Sequence, residues 1–188
     1  MEVNHISKSY GKKTIINDIS FTVNAGEVYA LVGPNGAGKT TIIRLVTGLS
    51  FPSAGDVKLF GEDASKKPSL RRKLGAVVEA PAAFYPYLSG EANLKLHAKL
   101  AGGVKTERIA QVLKMMELSY AKDQKVATYS LGMRQRLGVA AAVLTEPEIL
   151  ILDEPASGMD PLSLHLVHSV LQNAAQNGAA VLLSTHHL

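Results

Sequence analysis

Cysteine is absent from the 188 residues, which excludes disulfides, thiol catalysis and cysteine-based zinc sites. No apolar run approaches the ~20 residues needed to cross a bilayer as a helix. A secretory leader pattern is also missing, because Glu2, Asn4 and His5 interrupt the stretch that would have to be apolar. There is no internal repeat and no low-complexity tract. Together these absences lead us to expect a cytosolic chain. Charge of one sign is only mildly in excess. A net charge of +4 fits an ordinary solvated surface or a weak attraction to a polyanion such as a nucleotide, a nucleic acid or an anionic membrane face. The densest basic cluster, Lys66-Lys67 with Arg71-Arg72-Lys73, is too sparse for a nucleic-acid footprint, and no nucleic-acid partner is expected. Hydrophobic residues make up 46% of the chain, enough to build a core, and the length is that of one ordinary domain.

The most informative stretch is Gly33-Pro34-Asn35-Gly36-Ala37-Gly38-Lys39-Thr40-Thr41. It follows the apolar run Val28-Tyr29-Ala30-Leu31-Val32 and precedes Ile42-Ile43-Arg44-Leu45-Val46, the order strand, glycine loop, helix. That is the spacing and context of a phosphate-cradling P-loop. A polyphosphate needs many donors and few side chains in the way. The glycines let consecutive backbone N–H groups converge into an anion nest, and the helix start adds its own unpaired donors and positive dipole end. Lys39 is placed to reach the β- and γ-phosphates, and the Thr40 hydroxyl to ligate Mg²⁺.

Around this loop the pattern alternates between strand and helix. Ile19, Phe21 and Val23 alternate with polar residues, as in a one-sided antiparallel sheet, with turns at Gly11-Lys12-Lys13 and Asn24-Ala25-Gly26. The run from Val28 to Val32 is continuously apolar and predicts a strand buried on both faces. A helix is expected from about Gly38 to Thr47, ended by Gly48 and Pro52. Short strands are expected over Asp56 to Phe60 and Gly75 to Val78, with a short helix over Ser69 to Leu74 between them. Glu79-Ala80-Pro81 breaks the second strand. From Ser89, a good helix cap, to about Leu144 the chain reads as helical; Ile109, Val112, Leu113 and Met116 share one face, and Leu137, Ala140, Ala141 and Leu144 another. After Pro147 come a strand over Ile149 to Leu152, a helix from about Leu162 to Asn177-Gly178, and a last strand over Ala179 to Leu183. Strands alternating with helices imply a mainly parallel sheet, so the fold class is α/β: a P-loop NTPase core with an N-terminal antiparallel β part and an inserted helical lobe.

The strand Ile149 to Leu152 runs into two acids, Asp153 and Glu154. A carboxylate at the carboxyl end of a buried parallel strand lies where ligands bind in such sheets. Asp153 is placed to hold Mg²⁺, and Glu154 to polarise an attacking water. His165 and His168, at i and i+3 on a helix, read as a solvated or half-buried face rather than a metal site.

With these motifs in order, the chain resembles the nucleotide-binding domain of an ABC transporter. The resemblance runs from Tyr10 to His186. It implies that Tyr10 stacks on adenine and that the stretch from Gly33 to Thr41 binds the phosphates of ATP. Tyr129-Ser130-Leu131-Gly132-Met133 aligns with the family signature, keeping Ser130 and Gly132 while Leu131 and Met133 depart from it. In the family this helix start faces ATP held by the other subunit, so Ser130, Leu131, Gly132, Met133 and also Asp160, in Ser157-Gly158-Met159-Asp160, are expected to act in trans. His186 resembles the switch histidine at the γ-phosphate; His187 is its neighbour, but the spacing Ser184-Thr185-His186 favours the former.

A narrower resemblance is carried by Val78-Glu79-Ala80-Pro81, Phe84-Tyr85 and Leu88-Ser89-Gly90-Glu91-Ala92-Asn93-Leu94 together with Tyr-Ser-Leu-Gly-Met at 129–133, which look like the bacitracin and lantibiotic resistance exporters. Glu79 stands where most members have glutamine and offers a charged oxygen to Mg²⁺ or the water. The resemblance thus implies catalytic roles for Glu154, His186, Lys39 and Glu79, metal ligands in Thr40, Asp153 and Glu79, and ATP with Mg²⁺ as cofactors. It also implies an ATP-dependent homodimer docked on an integral-membrane permease subunit at the cytoplasmic side of the membrane. One ABC ATPase domain is expected over 1–188, with 1–83 and 147–188 as the α/β core and 84–146 as the helical lobe. Family members continue with further helices, so a C-terminal truncation is expected. An ABC ATPase acting on ribosomes or DNA would bring tandem cassettes or a long coiled coil, and neither is visible. An ATP sensor without turnover would not need both Asp153 and Glu154.

Overall fold

A computed structural model describes residues 1–78 and 84–186. It contains two four-stranded sheets. The first is antiparallel, in the order β2-β1-β4-β5, from β1 (Glu2–Tyr10), β2 (Lys13–Thr22), β4 (Ala54–Leu59) and β5 (Glu62–Asp63). The second has β3 (Val28–Val32), β8 (Ala180–Thr185), β7 (Ile149–Leu152) and β6 (Leu74–Val77) in the order β3-β8-β7-β6, and every neighbouring pair is parallel. Parallel pairs need crossovers, and helices supply them.

The period-two alternation of β7 and β8 divides the interior into two cores. On one side Ile149, Ile151, Ala180 and Leu182 pack with Ile42, Ile43, Leu45 and Val46 of α1 (Lys39–Thr47) and with Val3, Ile6 and Ile16 of the antiparallel sheet. On the other, Leu150, Leu152 and Val181 pack with Val167, Val170 and Leu171 of α5 (Pro161–Gln176) and with the helices α2 (Gly90–Leu100), α3 (Thr106–Met115) and α4 (Leu131–Ala142). Each fully buried Leu or Ile contributes roughly 1.5–3 kcal/mol relative to exposure. That is why β7, with all four residues buried, serves as the common wall of both cores.

The local signals behaved largely as their chemistry requires. Gly48 closes α1 in the left-handed conformation at φ 79°, which only a residue without a Cβ adopts easily. Ser89 caps α2, its hydroxyl accepting the Ala92 N–H at 3.1 Å. Ile109, Val112, Leu113 and Met116 are all buried, and so are Leu137, Ala140 and Leu144. The long helical stretch is not one rod: short 3₁₀ turns at Ser119–Ala121 and Val126–Thr128 separate α3 from α4. His165 and His168 lie exposed on α5.

The strand β3 corrects the reading from sequence. It is not buried on both faces: Val28 is 43% and Val32 48% exposed, and only Tyr29 and Leu31 turn inward. The cause is its place at an edge of the parallel sheet, where β8 inserts between it and β7. Gly75, on β6, lies at a close approach of α4 to the sheet. A Cβ there would lie 2.0 Å from the Ala142 carbonyl oxygen at the end of α4.

Candidate active site

The carboxyl ends of β3, β7 and β8 converge on one polar cluster. After β3 the loop takes positive φ at Gly36 (83°) and Gly38 (95°), the kind of backbone in which consecutive N–H groups can converge. Gly38 is also the N-cap of α1, and no side chain caps that helix end. A Cβ at Gly38 would come within 2.5 Å of Ile16 Cδ1, so the hairpin of β1 and β2 presses on the loop from below. The same hairpin carries Tyr10, 53% exposed at the end of β1, with the Lys8 ammonium 4.9 Å from its ring centroid.

Lys39, only 8% exposed, donates to the carbonyl oxygens of Gly33 (2.6 Å) and Pro34 (3.2 Å). Its ammonium also lies 3.2 Å from Glu154 Oε1. The other oxygen of Glu154, Oε2, is 2.6 Å from His186 Nδ1. Burial alone would push the Glu154 carboxyl up; the hydrogen bond with His186 and the Lys39 ammonium outweigh it and hold the group below the usual carboxylate range. The Lys39 contact is ionic attraction without hydrogen-bond alignment. Oε1 is sealed from solvent and takes no aligned donor among the described residues. Glu154 also has φ 46°, a left-handed conformation costing a non-glycine residue about 1–3 kcal/mol and found mainly where the surroundings enforce it.

Asp153 is buried beside it and extends the β6–β7 pairing, its N–H donating to Val77 O at 3.0 Å. Its Oδ1 accepts a 2.6 Å hydrogen bond from Ser184 Oγ, and the same hydroxyl accepts the Glu154 N–H at 2.8 Å. The Thr40 hydroxyl on α1 and the Asp153 carboxylate just after β7 are hard oxygen donors suited to Mg²⁺. The uncapped start of α1, the inward ammonium and these oxygens together fit a magnesium-bound triphosphate.

The other expected site residues lie apart from this cluster. Ser130 is the N-cap of α4 and accepts the Met133 N–H at 3.2 Å. Leu131, 45% exposed, leans over Gly158, where a Cβ would meet its Cδ2 at 2.8 Å. Gly132 and Met133 are half-buried in the first turn of α4. Asp160 caps α5: Oδ1 accepts from Leu162 N and Ser163 N, each at 3.0 Å, and Oδ2 from Ser163 Oγ at 2.7 Å. These bonds, the Ser163 backbone first, hold its carboxyl below the usual range. Glu79, His187 and the break at Glu79-Ala80-Pro81 lie outside the described residues.

Two contributors were missed in the sequence. Ser184 is fully buried at the junction of both acids, and its place directly after the apolar run Val181-Leu182-Leu183, still within the strand, was the available signal. Asn93 is fully buried too. Its amide accepts from Tyr85 N and donates to the carbonyls of Tyr85 and Ser89, fixing the loop ahead of α2.

Comparison with known proteins gives the family and the fold. The profile of the ABC transporter family matches residues 16–157. A bacitracin transport ATP-binding protein, BcrA, from Enterococcus faecalis is 41% identical over the whole chain, which spans 61% of that protein. A lantibiotic transport ATP-binding protein, SrtF, from Streptococcus pyogenes is 36% identical, again over the whole chain and 80% of the relative. A solved ATP-binding subunit of an ABC transporter superposes with a TM-score of 0.90 at 34% identity, covering all of this chain and 79% of that one. The chain thus spans about three fifths of the length of the bacitracin relative.

Proposed function

Given that this chain belongs to the ABC transporter family of ATP-binding proteins, we propose that it binds and hydrolyses ATP to drive the export of antimicrobial peptides such as bacitracin or lantibiotics. The observation that carries the hydrolytic part is Glu154. Its carboxylate is ionised, clamped by His186 on one oxygen and faced by Lys39 on the other, and strained in backbone. Once Lys39 turns from Glu154 to the phosphates, Oε1 has the free lone pair needed to accept a proton from an attacking water.

In this reading the stretch from Gly33 to Thr41 grips the phosphates, Lys39 leaves its carbonyl partners for the anion, and Tyr10 stacks on the base. Thr40 and Asp153 hold Mg²⁺, which supplies charge neutralisation at the phosphates, and Glu79 joins them or the water. Glu154 orients the water and His186 holds Glu154 in place. Ser130, Leu131, Gly132, Met133 and Asp160 serve the ATP site of a second copy, so that two chains close around two nucleotides. An integral-membrane permease converts closing and opening into transport at the cytoplasmic side of the membrane. Residues 84–146 form the helical lobe of one domain whose core is 1–83 and 147–188. No helix among the described residues is long and apolar enough to cross a membrane.

The support for peptide export is the similarity to the bacitracin and lantibiotic relatives. Two measurements test the proposal. Purified protein should hydrolyse ATP with Mg²⁺ and stop doing so as Glu154→Gln while still binding it; equal turnover by both would remove Glu154 from its role. Cells producing the chain with its neighbouring permease should survive bacitracin or a lantibiotic better than cells without it. Equal sensitivity would remove the cargo assignment and leave the ATPase untouched.

A further inference from the structure

The geometry points to Ser184 as a positioning residue that, through one buried hydroxyl, sets both the metal-facing orientation of Asp153 and the backbone of Glu154. The inference rests on the reading of those two acids given above.

A serine hydroxyl has one donor and two lone pairs. Here the donor is committed to Asp153 Oδ1 at 2.6 Å, the short distance of a charge-assisted bond, and a lone pair takes the Glu154 N–H at 2.8 Å. Both contacts cross from β8 to the end of β7, 31 and 30 residues away in sequence. Ser184 is 0% exposed, so water cannot substitute for either. With Oδ1 tethered, rotation of the Asp153 carboxylate is restricted and Oδ2 becomes the oxygen presented to a cation. The second contact grips Glu154 at the residue whose φ of 46° the chain would otherwise relax. Two residues further on, His186 holds the carboxylate of the same Glu154. The end of β8 therefore grips Glu154 at main chain and side chain at once. A serine needed only for packing would not require both partners to be the acids of the site, and Asp153 N already has its own acceptor in Val77 O.

Outer-shell partners of metal ligands typically change metal affinity or activity about 10–100-fold when removed. The test uses the full chain with Ser184→Ala, Ser184→Cys and Ser184→Thr. Binding of a fluorescent ATP analogue is measured in EDTA and across a Mg²⁺ series, alongside turnover. The Ala and Cys forms should bind the analogue in EDTA as the parent does, because the phosphate loop is untouched. Their Mg²⁺ midpoint should rise by about 10–100-fold, and Thr, which keeps the hydroxyl, should bring it back. An unmoved Mg²⁺ midpoint, or a loss of EDTA binding and thermal stability with no change in Mg²⁺ dependence, overturns the assignment. If the Ala form does not fold, the Cys form decides, since it preserves the volume but donates poorly. Asp153→Asn in the same series separates the two layers of the argument. A midpoint unmoved there sinks the metal role of Asp153 and the Ser184 role with it; a midpoint moved there but not in the Ser184 variants sinks the Ser184 role alone.

Discussion

Two helices of this chain begin at positions assigned to phosphates, and they begin in opposite ways. The first, α1, starts at Gly38, whose lack of a side chain leaves the amides of the first turn without an internal cap. The other, α4, starts at Ser130, whose hydroxyl already accepts the Met133 N–H. Open donors at α1 are surrounded by a buried lysine, two acids and a histidine. The start of α4 instead lies beside Leu131 and Gly158, and one of its first-turn N–H groups, that of Met133, is already taken by its own cap. Under the proposed pairing of two chains, the difference separates a helix start left open for a ligand from one whose cap its own serine already supplies.

The sharpest way to break this contrast is at α1. Changing Gly38 to Ala places a Cβ within 2.5 Å of Ile16 Cδ1 at a φ of 95°. We expect it to abolish measurable ATP binding, as should Lys39→Ala, which removes charge-assisted bonds worth about 1.5–3 kcal/mol each. Equilibrium binding of labelled ATP is the measurement, and a Gly38→Ala protein with parental affinity would dissolve the distinction between the two helix starts. Next in size, Glu154→Gln should lower turnover by about 10²–10⁴-fold while leaving nucleotide affinity near that of the parent. Single-turnover and binding assays on the same preparation separate those two effects.

The corresponding change at α4 should be milder. Ser130→Ala is expected to lower stability by about 1 kcal/mol, with Ser130→Gly costing only a few tenths. Neither should alter ATP affinity of the isolated chain, though both should weaken any ATP-dependent pairing seen by light scattering. The smallest effect is acid sensitivity. Glu154 has a folded value below its ordinary 4.5, so its contribution to stability is complete above 4.5 and disappears as pH falls through the lower folded value. In chemical denaturation across that window, Glu154→Gln should lose less stability than the parent. A parallel loss in both proteins would show that the His186 and Lys39 contacts contribute nothing to folding.

What could be read from the sequence follows the reach of each interaction. The glycine loop, the cap at Ser89, the stop at Gly48 and the acids after Leu152 are local features, and the structure contains each of them where expected; the cap that Asp160 supplies to α5 was not anticipated. The strands Val28–Val32 and Ile149–Leu152 read alike, yet one lies at an edge and the other in the centre. Strand order is decided by β8, whose sequence lies far from both. Ser184 escaped notice for the same reason: its partners are 30 and 31 residues away, and nothing next to it in the sequence needs a hydroxyl. The antiparallel sheet was legible as strands, but its order β2-β1-β4-β5, which brings β4 beside β1, depends on pairing across α1.

The bare backbone of Gly75 under the Ala142 carbonyl has a mechanical implication. Contact that close, with no side chain between, pins the last turn of α4 to β6. The 12-residue helix then behaves as an arm of about 18 Å with its fulcrum at that seam and Ser130 at the far tip. A tilt of about 10° at the pinned end would sweep the tip through about 3 Å, so a small disturbance where the arm meets the sheet becomes a large displacement where a second chain would be touched.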